Sequence, residues 1–201
     1  MVSSGAGTRL AVLWSRFQED LDAAVRQDPA AKSRVEMALA SPGLHAIWSH
    51  RLSHRIWQQP GGQLPARLLS QLARAVTGVE IHPGAQIGRR FFIDHGMGVV
   101  IGETAEVGDD VMLYHGVTLG GRSMQKVKRH PTLGDNVTVG TGARLLGPVV
   151  VGDGAQVGAN AVVVKDVPAH AVATGVPARV RFPGTGQDPE EALYAEPALW
   201  I

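Results

Sequence analysis

Two short segments of the chain place a histidine beside charged residues, a combination that could perform acid–base chemistry and bind a charged substrate. The segment FFIDHGMGVV carries Asp94 and His95, and the segment GGRSMQKVKRHPT carries several cations and ends near Arg129 and His130. Histidine titrates near neutral pH and serves as a general base, and arginine can bind both oxygens of a carboxylate. Taken alone, the first pair could equally hydrogen-bond a turn, and the second segment could be a solvated loop.

A six-residue repeat surrounds both segments. An aliphatic side chain returns every six positions with two breaks of phase, and glycine often follows it; the 13 positions are Ile81, Ile87, Ile93, Ile101, Val107, Leu113, Leu119, Leu133, Val139, Leu145, Val151, Val157 and Val163. This period fits neither a helix nor a plain strand, but it fits a short strand and a tight corner repeated around a solenoid of roughly four coils. Each histidine segment coincides with a break: two residues are added before Ile101, and a two-residue excess over the period precedes Leu133.

The residues before the repeat have the periodicity of helices. Three apolar faces recur at helical spacing: Leu10, Leu13, Phe17 and Leu21; Leu44, Trp48, Leu52 and Ile56; Leu64, Leu68, Leu72 and Val76. Three to four helices should therefore pack at the open end of the solenoid, where unpaired backbone groups need cover. We predict a helical domain over 1–78, a solenoid over 79–182 and a flexible C-terminal tail over 183–201.

Composition restricts the function. The chain has 201 residues, a formal net charge of +1 and no cysteine. This balance gives no reason to expect nucleic acid as a partner, and the lack of cysteine excludes disulfides, thiolate metal sites and a cysteine acyl-enzyme. No apolar run is long enough for a membrane-spanning helix, and the N-terminus does not have the pattern of a secretion signal, so we expect a cytoplasmic protein without membrane association.

Longer motifs carry a family resemblance over 28–181. The run EIHPGAQIGRRFFIDHGMGVVIGETAEVG, then VTLGG, a loop ending in RHP, and GVPAR together resemble the serine O-acetyltransferases of the hexapeptide-repeat acyltransferase family, in a short form. The resemblance implies a mainly β fold, a left-handed parallel β-helix of hexapeptide repeats with an N-terminal α-helical domain. It also implies transfer of the acetyl group of acetyl-CoA to the hydroxyl of L-serine, which gives O-acetyl-L-serine and CoA for cysteine biosynthesis.

The resemblance also assigns roles to individual residues. His95 would be the general base that takes the proton of the serine hydroxyl, and Glu80, just before the IHP motif, would be the carboxylate that orients it. Many members of the family have aspartate at the position of Glu80. Without a cysteine or a G-x-S-x-G motif, direct transfer in a ternary complex is favoured over an acyl-enzyme.

An amino-acid substrate needs a negative site for its ammonium group and a positive site for its carboxylate. By resemblance, Asp28 and Asp94 would face the ammonium, and Arg129 with His130 would bind the carboxylate. From the sequence alone, Asp28 could also be the N-cap of a helix with Pro29 at its first position, and both roles could hold together.

The remaining assignments concern acetyl-CoA and partners. Acetyl-CoA would lie in a groove between neighbouring subunits lined by Gly121, Thr141 and Ala159, with Arg179 near a CoA phosphate; no metal is expected.

L-cysteine would be a feedback inhibitor at the serine site. The assembly would be a homotrimer, with a dimer of trimers left open. The C-terminal Ile201 would insert into the active site of O-acetylserine sulfhydrylase.

Three other functions remain open at this point. A hexapeptide O-acetyltransferase acting on a sugar or antibiotic hydroxyl would keep His95 but would not need the amino-acid clamp. A zinc hydratase on the same fold would need three histidines at an interface, and the expected His-x4-His pair is missing. A non-catalytic solenoid would not need His95. His50 and His54 stand four residues apart on a helix, and we expect them at a surface or an interface.

Overall fold

The computed structural model describes residues 4–182, with side chains from residue 14 onward. Four helices come first: α1 is Ser4–Gln27, α2 Arg34–Ala40, α3 Pro42–Trp57 and α4 Gln63–Thr77. The hydroxyl of Ser33 accepts a hydrogen bond from the backbone N–H of Glu36 at the start of α2. Gly78, with φ 73°, ends α4 in the left-handed conformation that favours glycine. None of the described helices combines the length and apolarity that a bilayer crossing requires.

The prediction that Asp28 caps a helix is wrong. Asp28 follows the last residue of α1, and the next helix begins only at residue 34, where Ser33 is its cap. The carboxylate of Asp28 instead accepts a hydrogen bond from the N–H of Ala30 at 2.8 Å. Since this bond closes a turn, Pro29 belongs to the turn rather than to the first position of a helix.

Fifteen short strands follow the helices. They are β1 Glu80–Ile81, β2 Gln86–Ile87, β3 Phe92–Ile93, β4 Val100–Ile101, β5 Glu106–Val107, β6 Met112–Leu113, β7 Thr118–Gly120, β8 Thr132–Leu133, β9 Thr138–Val139, β10 Arg144–Leu146, β11 Val150–Val151, β12 Gln156–Val157, β13 Val162–Val163, β14 Val172–Thr174 and β15 Arg179–Arg181. All 13 aliphatic positions of the repeat lie in β1 to β13, one in each strand. The left-handed parallel β-helix with a helical N-terminus is confirmed.

The strands form the three sides of the solenoid. Sheet 1 has the order β1-β4-β7-β10-β13, sheet 2 the order β11-β8-β5-β2, and sheet 3 the order β15-β14-β12-β9-β6-β3. The pairing is parallel except for the last strand, β15. Because the register aligns each repeat position with its equivalent in the next coil, the aliphatic side chains stack into one buried core.

Both breaks of phase are insertions at corners of the solenoid. In the first coil, the connection from Ile93 to Val100 is two residues longer than the equivalent connection from Leu113 to Thr118. The second break is larger than the sequence count indicated. β7 lies in sheet 1 and β8 in the adjacent sheet 2, so a single step of the repeat takes 14 residues from Leu119 to Leu133 instead of six.

Helix α3 attaches the helices to the first coil through buried polar groups. The Arg51 guanidinium donates to both oxygens of Asp20 at 2.7 and 2.8 Å, and also to the backbone oxygen of Gly88 at 2.9 Å. His50 bonds the backbone oxygen of Ala85, and burial lowers its pKa to about 3. The expectation of His50 at a surface is therefore wrong, because the side chain is only 5% exposed.

The predicted apolar face of α4 is not packed against the solenoid. Leu64, Leu68, Leu72 and Val76 are each more than 60% exposed in the chain. The helix instead buries its small residues, among them Ala66 and Ser70, since these allow close approach to α3. The 3.6-residue period identified a helix here, but it did not identify the face that the chain itself covers.

Candidate active site

His95 lies in the longer corner of the first coil, between sheet 3 and sheet 1. Its backbone adopts φ 59°, a left-handed conformation that corner residues such as Asp110 and His170 share. The imidazole is 62% exposed. Its Nε2 lies 3.7 Å from Oδ2 of Asp94. An exposed imidazole next to a carboxylate can take a proton from a bound hydroxyl.

Asp94 and Asp28 form an acidic pair beside this histidine. Burial raises the pKa of Asp94, the nearby His95 opposes that shift, and the like charge of Asp28 adds to it. The structure thus brings together two carboxylates from distant parts of the sequence, one after helix α1 and one after strand β3. Such a pair favours a cation between them, and the ammonium group of an amino acid fits this requirement.

His115 belongs to this corner and was not singled out in the sequence. The register that pairs Ile93 with Leu113 brings the corner of the second coil, which carries His115, beside the longer corner that carries His95. The two rings meet edge to face, with centroids 5.7 Å apart and planes at 85°. The signal was present in the repeat, since each histidine stands two residues after a core aliphatic residue.

The same column continues with two residues predicted for acetyl-CoA. Leu113 pairs with Val139 and Val139 with Val157, which sets Thr141 and Ala159 at the equivalent corner position in the following coils. Ala159 is exposed, and the Thr141 hydroxyl is buried without a hydrogen-bond partner among the described residues. A continuous surface therefore runs from His95 along the axis of the solenoid.

Arg129 and His130 lie at a different corner, between sheets 1 and 2. Thr104 anchors them: its hydroxyl accepts the backbone N–H of Arg129 at 3.0 Å and lies 2.8 Å from Nδ1 of His130. The Arg129 guanidinium lies 3.6 Å from a carboxylate oxygen of Glu103. Thr104 is a site residue that sequence reasoning missed, although it belongs to the quoted GETA motif.

Hydrogen bonds set the protonation of His130. Its Nδ1 accepts the backbone N–H of Thr104 at 3.2 Å, so a neutral ring carries its proton on Nε2. Burial, and then the positive charge of Arg129, lower the pKa of His130. Gly102 makes room for this ring, because a Cβ there would come within 2.0 Å of it. His130 is thus placed as a neutral hydrogen-bond donor beside a cation.

The other predicted residues are more scattered. Glu80 makes no hydrogen bond to His95 within the chain; its Oε2 lies 3.3 Å from the Arg74 guanidinium. Gly121 lies against His130, away from Thr141 and Ala159. Arg179, predicted to lie near a CoA phosphate, is exposed on β15. Ile201, predicted to bind a partner, lies outside the described residues.

The two corners occupy opposite edges of sheet 1. His95 precedes strand β4 of that sheet, and Arg129 and His130 follow its strand β7. A side of six extended residues spans on the order of 20 Å, which is much longer than an amino acid. Within one chain, the acidic pair with His95 and the Arg129 cation with His130 are therefore too far apart to contact one amino acid, and we call these two corners half-sites.

The fold and these half-sites define a transferase of the hexapeptide-repeat class. A family model described as bacterial transferase hexapeptide (six repeats) matches residues 130–165. The chain is 58% identical to the serine acetyltransferase of Mycobacterium tuberculosis over 161 residues, 80% of this chain and 70% of that protein. It is 55% identical to the serine acetyltransferase of Helicobacter pylori strain J99 over 159 residues, 79% of this chain and 92% of that protein.

Solved structures agree with the sequence relatives. A serine acetyltransferase of Neisseria gonorrhoeae in complex with serine superposes with a TM-score of 0.81 at 39% identity, over 84% of this chain and 69% of that chain. The chain belongs to the serine acetyltransferase family, and its reaction is the transfer of an acetyl group to serine.

Proposed function

We propose that the acetyl donor is acetyl-CoA and that the reaction takes place in a cleft between two copies of this chain. The observation that carries the proposal is the position of complementary half-sites at opposite edges of sheet 1. The base and the ammonium-binding carboxylates lie at one edge, and the carboxylate-binding cation lies at the other. Packing side by side, neighbouring chains bring the His95 corner of one to the Arg129 corner of the next, which gives a closed ring of three.

In this cleft Asp28 and Asp94 hold the ammonium group of serine, and Arg129 and His130 hold its carboxylate. His95 takes the hydroxyl proton while the hydroxyl oxygen attacks the thioester carbonyl carbon. The tetrahedral intermediate then collapses, the carbon–sulfur bond breaks, and the imidazolium returns its proton to the CoA sulfur. The products are O-acetylserine and CoA, and the enzyme returns to its starting state without an acyl-enzyme.

The column from His115 to Ala159 gives acetyl-CoA a path to the base. Thr141 and Ala159 have short side chains, which allow the pantetheine arm to approach the backbone. Gly121, at the other corner, would face this arm from the neighbouring chain. Arg179, exposed beyond the last coil, would meet a phosphate of the nucleotide. No metal takes part in any of these steps.

Two carboxylates compete for the role of orienting His95. Family resemblance favours Glu80, whereas the structure sets the Asp94 carboxylate 3.7 Å from the imidazole and pairs Glu80 with Arg74. Glu80→Gln and Asp94→Asn distinguish them. Loss of the orienting group lowers kcat with little change in the KM for serine, while loss of an ammonium-binding group raises that KM. We expect the first pattern for Glu80→Gln and the second for Asp94→Asn.

L-cysteine differs from serine only at the side-chain atom, and the same clamp would bind it as a feedback inhibitor. A cysteine complex is known for a serine acetyltransferase that superposes with a TM-score of 0.83. We also propose that the protein acts in the cytoplasm.

The decisive experiment is a thiol-release assay with acetyl-CoA and L-serine, homoserine or a sugar as acceptor. We expect L-serine to be preferred and His95→Ala to lower turnover by roughly 10²- to 10⁴-fold. His170→Ala is a matched control, because His170 is also an exposed corner histidine with positive φ, at 58°. Near-normal turnover in folded His95→Ala would refute the assignment, and preference for a sugar would favour the alternative acyltransferase.

A further inference from the structure

We infer that His115 is a positioning residue for acetyl transfer: its ring, held by the second coil of the solenoid, keeps the His95 imidazole in its reactive orientation through an edge-to-face contact. This inference rests on the proposed role of His95 as the base. Nothing in the family comparisons or in the motif resemblance gives His115 a function. The contact itself is seen at a centroid distance of 5.7 Å with the ring planes at 85°.

His95 has few other restraints. Its backbone lies in the longer corner rather than in a strand, and its side chain is 62% exposed. The Asp94 carboxylate lies 3.7 Å from its Nε2, which is longer than a hydrogen bond. A general base has to point at the proton that it removes, so an imidazole this free would spend much of its time turned away.

His115 is well placed to supply the missing restraint. It follows strand β6, which pairs with β3 on one side and β9 on the other. Its backbone oxygen also accepts the N–H of Gly142 in the next coil at 2.9 Å. The preceding side chain, Tyr114, is buried. The backbone of His115 is therefore held by its neighbouring coils, and its ring contacts the exposed ring of His95.

Edge-to-face contact suits both states of the base. In the ground state, the positive edge of one aromatic ring meets the negative face of the other. When His95 takes the serine proton, its ring becomes a cation, and the contact of a cation with an aromatic ring is also attractive. The charges that face the pair are the carboxylates of Asp94 and Asp28, which stabilise the cation further. His115 itself exchanges no proton with the substrate in this scheme.

Replacing His115 with alanine or with phenylalanine separates the role of its ring from that of its nitrogens. Phenylalanine keeps an aromatic ring but removes every hydrogen-bonding atom, whereas alanine removes both. If the ring positions His95, His115→Ala lowers kcat by roughly tenfold, the value of a strong aromatic pair, with the KM for serine and acetyl-CoA within about twofold. His115→Phe then keeps most of the activity, and His170→Ala again serves as the control.

A spectroscopic measurement tests the contact without relying on activity. In protein labelled with ¹³C-histidine, the ring C–H signals of His95, assigned by their loss in His95→Ala, report the ring current of a neighbouring aromatic ring. We expect these signals to lose their ring-current shift in His115→Ala and to keep a ring-current shift of the same sign in His115→Phe. Unchanged melting and elution volume establish that each variant folds and assembles.

The outcomes separate this inference from the proposed function. Full activity of His115→Ala, or equal losses in the alanine and phenylalanine variants, overturns the positioning role while the role of His95 stands. Full activity of His95→Ala overturns the proposed base itself. Three results together support the inference: His115→Ala loses activity, His115→Phe keeps most of it, and the His95 signals lose their ring-current shift only in His115→Ala.

Discussion

Asp94 carries a charge that the folded chain does not neutralise. Among the described residues no lysine or arginine contacts its carboxylate, and burial together with the nearby Asp28 raises its pKa. A group whose folded pKa lies above its unfolded value destabilises the fold where it is ionised. In the proposed reaction, the substrate ammonium provides the missing charge when it binds.

We therefore predict that Asp94→Asn raises the melting temperature at neutral pH while it impairs serine binding. The amide has a similar shape and removes the buried charge. The stability gained by the substitution is complete above the folded pKa of Asp94 and declines as the pH falls through that value. It disappears below the unfolded pKa of about 3.9, where Asp94 is protonated in both the folded and the unfolded chain. Thermal unfolding across this pH range measures it. An unchanged or lower melting temperature at pH 7 would contradict the electrostatic account.

At the scale of elements, the inserted loop after β7 depends on one hydroxyl from the neighbouring coil. Thr104 accepts the N–H groups of Arg129 and His130 at 3.0 and 3.2 Å, and the Lys128 ammonium donates to its backbone oxygen at 2.7 Å. These contacts fix the loop at its end, so that Arg129 projects from a defined backbone. Valine is close to threonine in shape but would leave both N–H groups without this acceptor.

We predict that Thr104→Val raises the KM for serine by roughly tenfold, because an unsatisfied partly buried N–H costs about 1–3 kcal/mol and 1.4 kcal/mol is a factor of ten. The KM for acetyl-CoA should change much less. Thr104→Ser, which keeps the hydroxyl, is the matched control and should behave like the unmodified chain in steady-state kinetics. Equal values for the valine and serine variants would show that the hydroxyl does not hold the loop.

At the scale of the whole molecule, the separation of the half-sites predicts complementation between inactive chains. His95→Ala lacks the proposed base and Arg129→Ala lacks the proposed carboxylate-binding cation, but one cleft of a mixed assembly combines an intact corner from each. Each cleft needs an intact His95 corner from one neighbour and an intact Arg129 corner from the other. In an equal, random mixture each of these is present in about half of the cases, so about a quarter of the normal activity should return. Co-expression with two affinity tags tests this. Activity no higher than that of the separate variants would place the site within a single chain.

The C-terminal tail, which lies outside the described residues, carries a separate prediction. The sequence ends in Leu199, Trp200 and Ile201, apolar residues that favour a partner, and a terminal carboxylate can be captured by backbone donors. We predict that deleting Ile201 abolishes association with O-acetylserine sulfhydrylase and leaves acetyl transfer intact. A peptide of the last ten residues should inhibit the sulfhydrylase competitively. Co-elution of the two proteins at unchanged affinity after the deletion would contradict this.

The sequence by itself determined the solenoid, because each coil repeats the same local requirement. An aliphatic residue faces the core at every sixth position, and glycine often follows it at the corner. This pattern predicted 13 positions that line the core, of which 12 are buried and Ile87 is partly buried. The two interruptions also identified the segments of His95 and Arg129, since an insertion in a strict repeat has no structural need.

Only the tertiary structure decided how these segments relate. The 14 residues from Leu119 to Leu133 could be one step of the repeat with a long inserted loop, or two steps with a short one. Both leave the later core positions at the same spacing, and only the strand order shows that this is one step. Contacts between coils, such as His95 with His115 and Arg129 with Thr104, depend on register rather than on spacing along the chain. For the same reason the sequence did not show that His95 and Arg129 lie at two different edges of sheet 1 within one chain.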